Sequence, residues 1–233
     1  MKFIKYPTND LTVLYITANL IPDSFAEYQR NVLLKSMGDA QLVSISRKPI
    51  QFGNNIIDNE PKSTDNIFRQ MFIASKIIST KYVVVAEDDT LYCPDHFTFC
   101  RPPDDAFVYN MNRLALFTWG NPKMYSWRNR VSNAALIAPT LLMREALEER
   151  FAKWPNPIPE KLAGELGRGM IERNLGVTVR KLIEAFSEIS IVQFNHDFSS
   201  EHSQRVHTKM MGHIKAYSIP YWGEAEELVR KFV

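Results

Sequence analysis

The sequence predicts a doubly wound α/β fold with a mostly parallel central sheet. Three observations carry that expectation. Strand-like and helix-like segments alternate through the first ninety residues. The segment "KYVVVAE" (81–87) is apolar on both faces, as a central parallel strand is when helices cover both sides. That segment ends on Glu87, Asp88 and Asp89, at the strand end where open α/β sheets bind their ligands.

The elements follow in chain order. "LTVLYITANL" (11–20) is an apolar strand that turns polar at Thr17 and Asn19. Pro22 suits the first turn of a helix, with Phe25, Tyr28 and Val32 at helical spacing and Gly38 ending it. "AQLVSIS" (40–46) is a second strand, and "RKPIQFGNN" (47–55) reads as loop. Ser63, Thr64 or Asp65 caps the next helix, whose apolar stripe is Ile67, Met71, Ala74 and Ile78. Asn66, Arg69, Gln70 and Lys76 lie on its other face. Beyond the 81–87 strand, 105–119 reads as two strands or a hairpin and 133–139 as a strand leading into a helix. Residues 151–175, rich in proline and glycine, read as loop with a short helix, and "ISIVQFN" (189–195) as a last strand. There is no internal repeat, and the second half is expected to be irregular.

Bulk properties narrow the class. The chain has 233 residues, 45% of them hydrophobic, enough to bury a core as one domain over 1–233. With 28 basic and 26 acidic residues, the net charge of +2 argues against a strong nucleic-acid footprint. No apolar run is long enough to cross a bilayer, and 1–10 lacks the apolar core of a signal peptide. Cys93 and Cys100 suffice for neither a disulfide framework nor a zinc cluster. A cytoplasmic protein is expected.

Three adjacent carboxylates repel one another and persist where a cation offsets them. Alternation puts Glu87 and Asp89 on one side and Asp88 on the other. A hard divalent ion with oxygen ligands, Mg²⁺ or Mn²⁺, would bridge to a substrate phosphate. The alternative is one capping carboxylate and two solvated ones.

"YVVVAEDDTLYCPDHF" resembles the Asp-x-Asp region of nucleotide-sugar-dependent glycosyltransferases of the GT-A fold, in the family-2-like group. "STDNIFRQMFIASKIISTKY" is similar to the helix that leads into that region, "VLYITAN" to the opening strand, and "IPYWGEAEEL" to the close of small members. Two departures stand out: Glu87 replaces the first aspartate, and the 65–78 helix is longer than usual. The resemblance implies a nucleotide-sugar-binding half over 1–100 and an acceptor-side half over 101–233. It implies that Asp89 holds the metal under the diphosphate, that Glu87 shares the metal or contacts the ribose, and that Asp88 orients the loop. Thr17 and Asn19 would face base and ribose; Ser46, Arg47 and Lys48 would line the nucleotide edge. The alternative for Arg47 and Lys48 is a solvated loop. Asn66 and Arg69 would sit at a helix start facing the cleft, unless Asn66 merely caps. A carboxyl-terminal histidine completes the metal site in such enzymes. His196, at a strand end, is the first choice and His207 the second. A base near the acceptor hydroxyl would be Glu165 in "GELGRG", a glycine-rich setting read as mobile, with Arg168 nearby. Trp119, Tyr125 and Trp127 either shape the acceptor side or plug the core.

The implied activity is transfer of a sugar from a nucleoside diphosphate, uridine first, to an acceptor hydroxyl on a saccharide or a hydroxylated DNA base. Two other functions compete. A nucleotidyltransferase would show a glycine-rich basic loop after the first strand, where this chain has "TANLIPDSF". A non-catalytic nucleic-acid-binding protein would use "SWRNR" (126–130) and Arg168.

Overall fold

The computed structural model describes residues 5–197 and 212–233. The first unit is β1 (Leu11–Thr17), α1 (Asp23–Ser36), β2 (Gln41–Ser46), β3 (Asn54–Ile57), α2 (Thr64–Ile77) and β4 (Tyr82–Glu87). Then come β5 (Thr90–Leu91), α3 (Pro94–Thr98), β6 (Ala106–Asn110), β7 (Arg113–Phe117), β8 (Tyr125–Trp127), β9 (Leu136–Pro139) and α4 (Thr140–Lys153). The chain closes with α5 (Gly169–Leu175), β10 (Lys181–Ala185), β11 (Ile191–Asn195), β12 (Ile214–Ala216), β13 (Ser218–Ile219), β14 (Gly223–Glu224) and α6 (Ala225–Phe232).

Seven strands form the main sheet in the order β10-β6-β9-β4-β1-β2-β3. The neighbours of β1 are parallel to it, and β9 alone runs antiparallel, between β4 and β6. This is the doubly wound, GT-A-like arrangement expected. All seven residues of β1 and the first five of β4 are buried, as strands covered on both faces must be. A second sheet, β12-β8-β7-β11-β5, packs on the carboxyl-end side of β4. Residues 105–119 therefore form two strands of different sheets, not a hairpin.

Three local outcomes differ from the sequence expectation. The 47–55 loop runs into a fourth parallel strand, β3, beside β2. A strand at 181–185 forms the far edge of the main sheet beside β6. In α2, Ser63 caps as expected, its hydroxyl accepting from Asn66 N at 3.0 Å. Asn66 and Gln70, however, turn inward and are buried. The reason is the buried Asp58, which accepts from Asn66 Nδ2 at 3.0 Å and Gln70 Nε2 at 2.6 Å. A buried carboxylate needs such donors. Tyr125 is core, while Trp119 and Trp127 are half-buried. No helix among the described residues is long and apolar enough to cross a membrane.

Candidate active site

The acidic triplet occupies the turn that joins the two sheets. After β4 the chain reverses, and β5 pairs antiparallel with β11, Thr90 opposite Gln193. The buried Tyr92 hydroxyl fixes this turn by accepting from Glu87 N at 3.0 Å and donating to Ala134 O at 3.0 Å. Phe194 N donates to Asp89 O at 2.8 Å.

The alternation of the carboxylates comes out as predicted. Asp88 turns toward β1 and accepts from Thr17 Oγ1 at 2.5 Å. Glu87 and Asp89 turn toward β11, where Gln193 Nε2 lies 3.1 Å from Glu87 Oε2 and 3.4 Å from Asp89 Oδ1. Arg113, only 3% exposed, donates Nη1 to Gln193 Oε1 at 2.7 Å. Because a guanidinium only donates, it forces the amide oxygen toward itself and the NH₂ toward the acids. Sequence reasoning missed both residues. The signal was present: Gln193 is the one non-apolar side chain in "IVQF", and Arg113 opens the otherwise apolar "RLALF".

Burial, with Asp89 and Asp88 adding their charges, pushes Glu87 up to about 8, against the opposing pull of Arg113. Burial, then Asp89, pushes Asp88 up to about 6, opposed by the Thr17 hydrogen bond and by His196. Burial and the nearby Arg128 push Arg113 down to about 10.

His196 is 5% exposed, its ring 5.0 Å from that of Phe232. Its Nε2 lies 3.8 Å from Asp89 Oδ2. Among the described residues no three His, Cys, Asp or Glu side chains converge as a ready-made metal cage. The donor set still fits a divalent ion of the Mg²⁺ or Mn²⁺ kind. One carboxylate and one imidazole leave positions for water and phosphate oxygens, the manner in which such ions bind at phosphate sites. The Glu87 carboxylate shares with Asp89 the amide of Gln193, at 3.1 and 3.4 Å. His207 lies outside the described residues.

The nucleotide-edge candidates gather at the ends of β1 and β2. Thr17 Oγ1 also accepts from Asn19 N at 2.9 Å, and Asn19 Oδ1 accepts from Lys48 N at 2.9 Å. Asn19 adopts φ 53°, a left-handed conformation that asparagine tolerates better than most residues. Ser46 is buried and donates to Lys48 O at 2.7 Å, while Arg47 and Lys48 stay accessible on the loop. Asn66 and Arg69 are engaged elsewhere. Asn66 holds Asp58, and Arg69 binds Asp65 at 2.6 Å and the carbonyls of Pro155 and Asn156.

Glu165 is 8% exposed on a loop that is clamped by hydrogen bonds from other elements. Arg150 Nη1 donates to Gly164 O at 3.0 Å, Tyr109 Oη to Leu166 O at 2.9 Å, and Gly167 N to Glu172 Oε1 at 2.8 Å. Its glycines serve close packing: a Cβ at Gly164 would meet Ile171 at 2.9 Å, and Gly167 has φ +78° against Phe107 and Leu182. Arg168 Nη1 pairs with Glu165 Oε2 at 2.8 Å, and Arg130 Nη2 lies 3.9 Å from Oε1. Glu165 is close enough to Glu87 for its charge to raise the proton affinity there. Glu172 is committed to two backbone N–H groups and is not free to act as a base.

No family model matches this sequence, and no curated protein matches it. Solved structures do resemble its fold. A glycosyltransferase involved in glycosylation of the major capsid of PBCV-1 aligns at 14% identity and TM-score 0.44, covering 86% of this chain and 99% of that one. The mannosyltransferase PcManGT from Pyrobaculum calidifontis, in complex with GDP-Man and Mn²⁺, aligns at 13% identity and TM-score 0.47, covering 84% of this chain and 60% of that one. The inositol-1-phosphate CTP transferase from T. maritima aligns at 9% identity and TM-score 0.47, covering 83% and 93%. Glycosyl and nucleotidyl transferases both appear in this set, so the chemistry of this chain rests on its own residues.

Proposed function

We propose that the protein is a metal-dependent glycosyltransferase that moves a sugar from a nucleoside diphosphate to an acceptor hydroxyl. The observation that supports it best is the Asp89–His196 pair at the end of β4, 3.8 Å apart, with the charge of Glu165 from the second half of the chain felt at the neighbouring Glu87.

In this reading the first hundred residues hold the donor and the remainder serves the acceptor. Thr17, Asn19, Ser46, Arg47 and Lys48 line the base and ribose. Asp89 and His196 hold Mn²⁺ or Mg²⁺, which when bound offsets the charge of the departing diphosphate. Gln193, itself held by Arg113, fixes the positions of Glu87 and Asp89 before donor arrives. Glu165, oriented by its ion pair with Arg168, removes the proton of the acceptor hydroxyl as its oxygen bonds to the sugar and the bond to the diphosphate breaks. Asn66 and Arg69 support the start of α2 behind this edge. The base is uridine, on the resemblance alone. A saccharide or a hydroxylated DNA base meets the chemical requirement for the acceptor.

Thermal melting with nucleoside diphosphates tests the reading. UDP with Mn²⁺ should raise Tm, by about 2.7 kcal/mol of stabilisation at one hundred times Kd. Asp89→Asn should abolish the metal-dependent shift while leaving the metal-free melt cooperative. A shift with GDP alone replaces uridine and keeps the transferase. No shift with any nucleoside diphosphate, together with no metal-dependent hydrolysis of a nucleotide-sugar panel, overturns it.

A further inference from the structure

Resting on the glycosyltransferase reading, we infer that the acceptor is an acidic saccharide, whose phosphate or carboxylate is held by Arg128, Arg130 and Arg168 beside Glu165. Two guanidiniums, of Arg168 and Arg130, face the Glu165 carboxylate, and Arg128 lies close to Arg130. Arg168 pairs with Glu165 at 2.8 Å, while Arg130 stands off at 3.9 Å and is half exposed. Arg128 is half-buried and makes no ion pair among the described residues. Its burial, and then the charge of Arg130, lower its proton affinity, so the two cations stand close enough to repel. Like charges held together at a cleft persist where an anion completes them.

The cluster is built rather than a solvated run. Arg113 donates Nη2 to Arg130 O at 2.9 Å, and Arg130 N donates to Arg128 O at 2.7 Å. Trp127, just before, donates Nε1 to Met111 O at 2.8 Å. Arg168 sits on the clamped Glu165 loop. Buried side chains thus fix the backbone of the turn and the loop that carry these arginines. The half-buried Trp127 beside them offers an apolar surface suited to a sugar ring. In the proposed reading the divalent ion held by Asp89 and His196 would offset the donor diphosphate, so the arginines fall on the acceptor side.

The test uses the full chain with Mn²⁺ and UDP, titrated by calorimetry with hexose phosphates, uronic acids and the matching uncharged hexoses. Acidic members should bind at least about tenfold more tightly, the value of one charge-assisted hydrogen bond. Arg128→Ala and Arg130→Ala should erase that difference and keep UDP affinity within about twofold, and Arg128→Lys should recover part of it. Equal binding of charged and uncharged sugars overturns the inference. So does an equal loss of UDP affinity in the alanine variants, which assigns the arginines to the donor. Tighter, Arg128-dependent binding of single-stranded DNA than of any sugar overturns it in favour of a nucleic-acid acceptor. Failure of UDP and every other nucleotide to bind the native chain instead defeats the glycosyltransferase reading itself.

Discussion

Replacing Gln193 with leucine removes the bridge between Arg113 and the two acids. Three contacts go: Arg113 Nη1 to Oε1 at 2.7 Å, and Nε2 to Glu87 and Asp89 at 3.1 and 3.4 Å. Hydrogen bonds to charged groups contribute about 1.5–3 kcal/mol each, and an unmet buried donor costs a similar amount. The 3.4 Å contact is weak, and water reaches the half-buried carboxylates, so the sum is about 2–4 kcal/mol. For a chain of this size that is a fall in Tm of about 4–16 °C. Differential scanning calorimetry of the metal-free protein measures it. Gln193→Glu supplies the contrast. It keeps an acceptor for Arg113 but adds a carboxylate about 3 Å from that of Asp89, a repulsion of several kcal/mol at an effective dielectric of about 20. Mn²⁺ should restore much of the stability of the glutamate variant and little of the leucine variant. A leucine variant melting within about 1 °C of native, with a glutamate variant indifferent to Mn²⁺, would refute the bridge.

Three further outcomes follow from the same geometry. Glu165→Gln should slow transfer by about two to four orders of magnitude with UDP affinity unchanged; near-normal transfer removes Glu165 from the chemistry, and lost UDP affinity moves it to the donor side. Glu87 rises from its ordinary 4.5 to about 8 on folding, so the folded state holds that proton more tightly than the unfolded one. Its stabilising contribution is complete below pH ~4.5 and lost as pH rises toward 8, so metal-free Tm should fall between pH 5 and 8. Glu87→Gln should flatten that fall, and an unchanged slope in the variant would disprove the assignment. Gly167→Ala places a Cβ 3.1 Å from Phe107 and 3.2 Å from Leu182 at φ +78°, and should cost about 1–3 kcal/mol in urea unfolding while displacing Glu165; native stability would show that the loop has room to move.

The sequence by itself determined the centre of the protein. A strand covered on both faces must be apolar throughout, so β1 and β4 announce themselves, and a polar break at the end of such a strand marks the ligand edge. Thr17, Asn19, Glu87, Asp88 and Asp89 were legible for that reason, as was the Ser63 cap. The edges were not legible. β3 and β10 are short and partly exposed, carrying too few residues for periodicity to separate strand from loop. Helical spacing put Asn66 and Gln70 on the face opposite the apolar stripe, and only the placement of Asp58 against α2 shows why they are buried. The glycines around Glu165 suggested mobility, yet Arg150, Tyr109 and Glu172 clamp the loop from other elements. The link from Arg113 through Gln193 to the acids joins residues about eighty to one hundred positions apart. Local pattern records which face a residue prefers; which buried partner waits on that face is decided when distant strands pair.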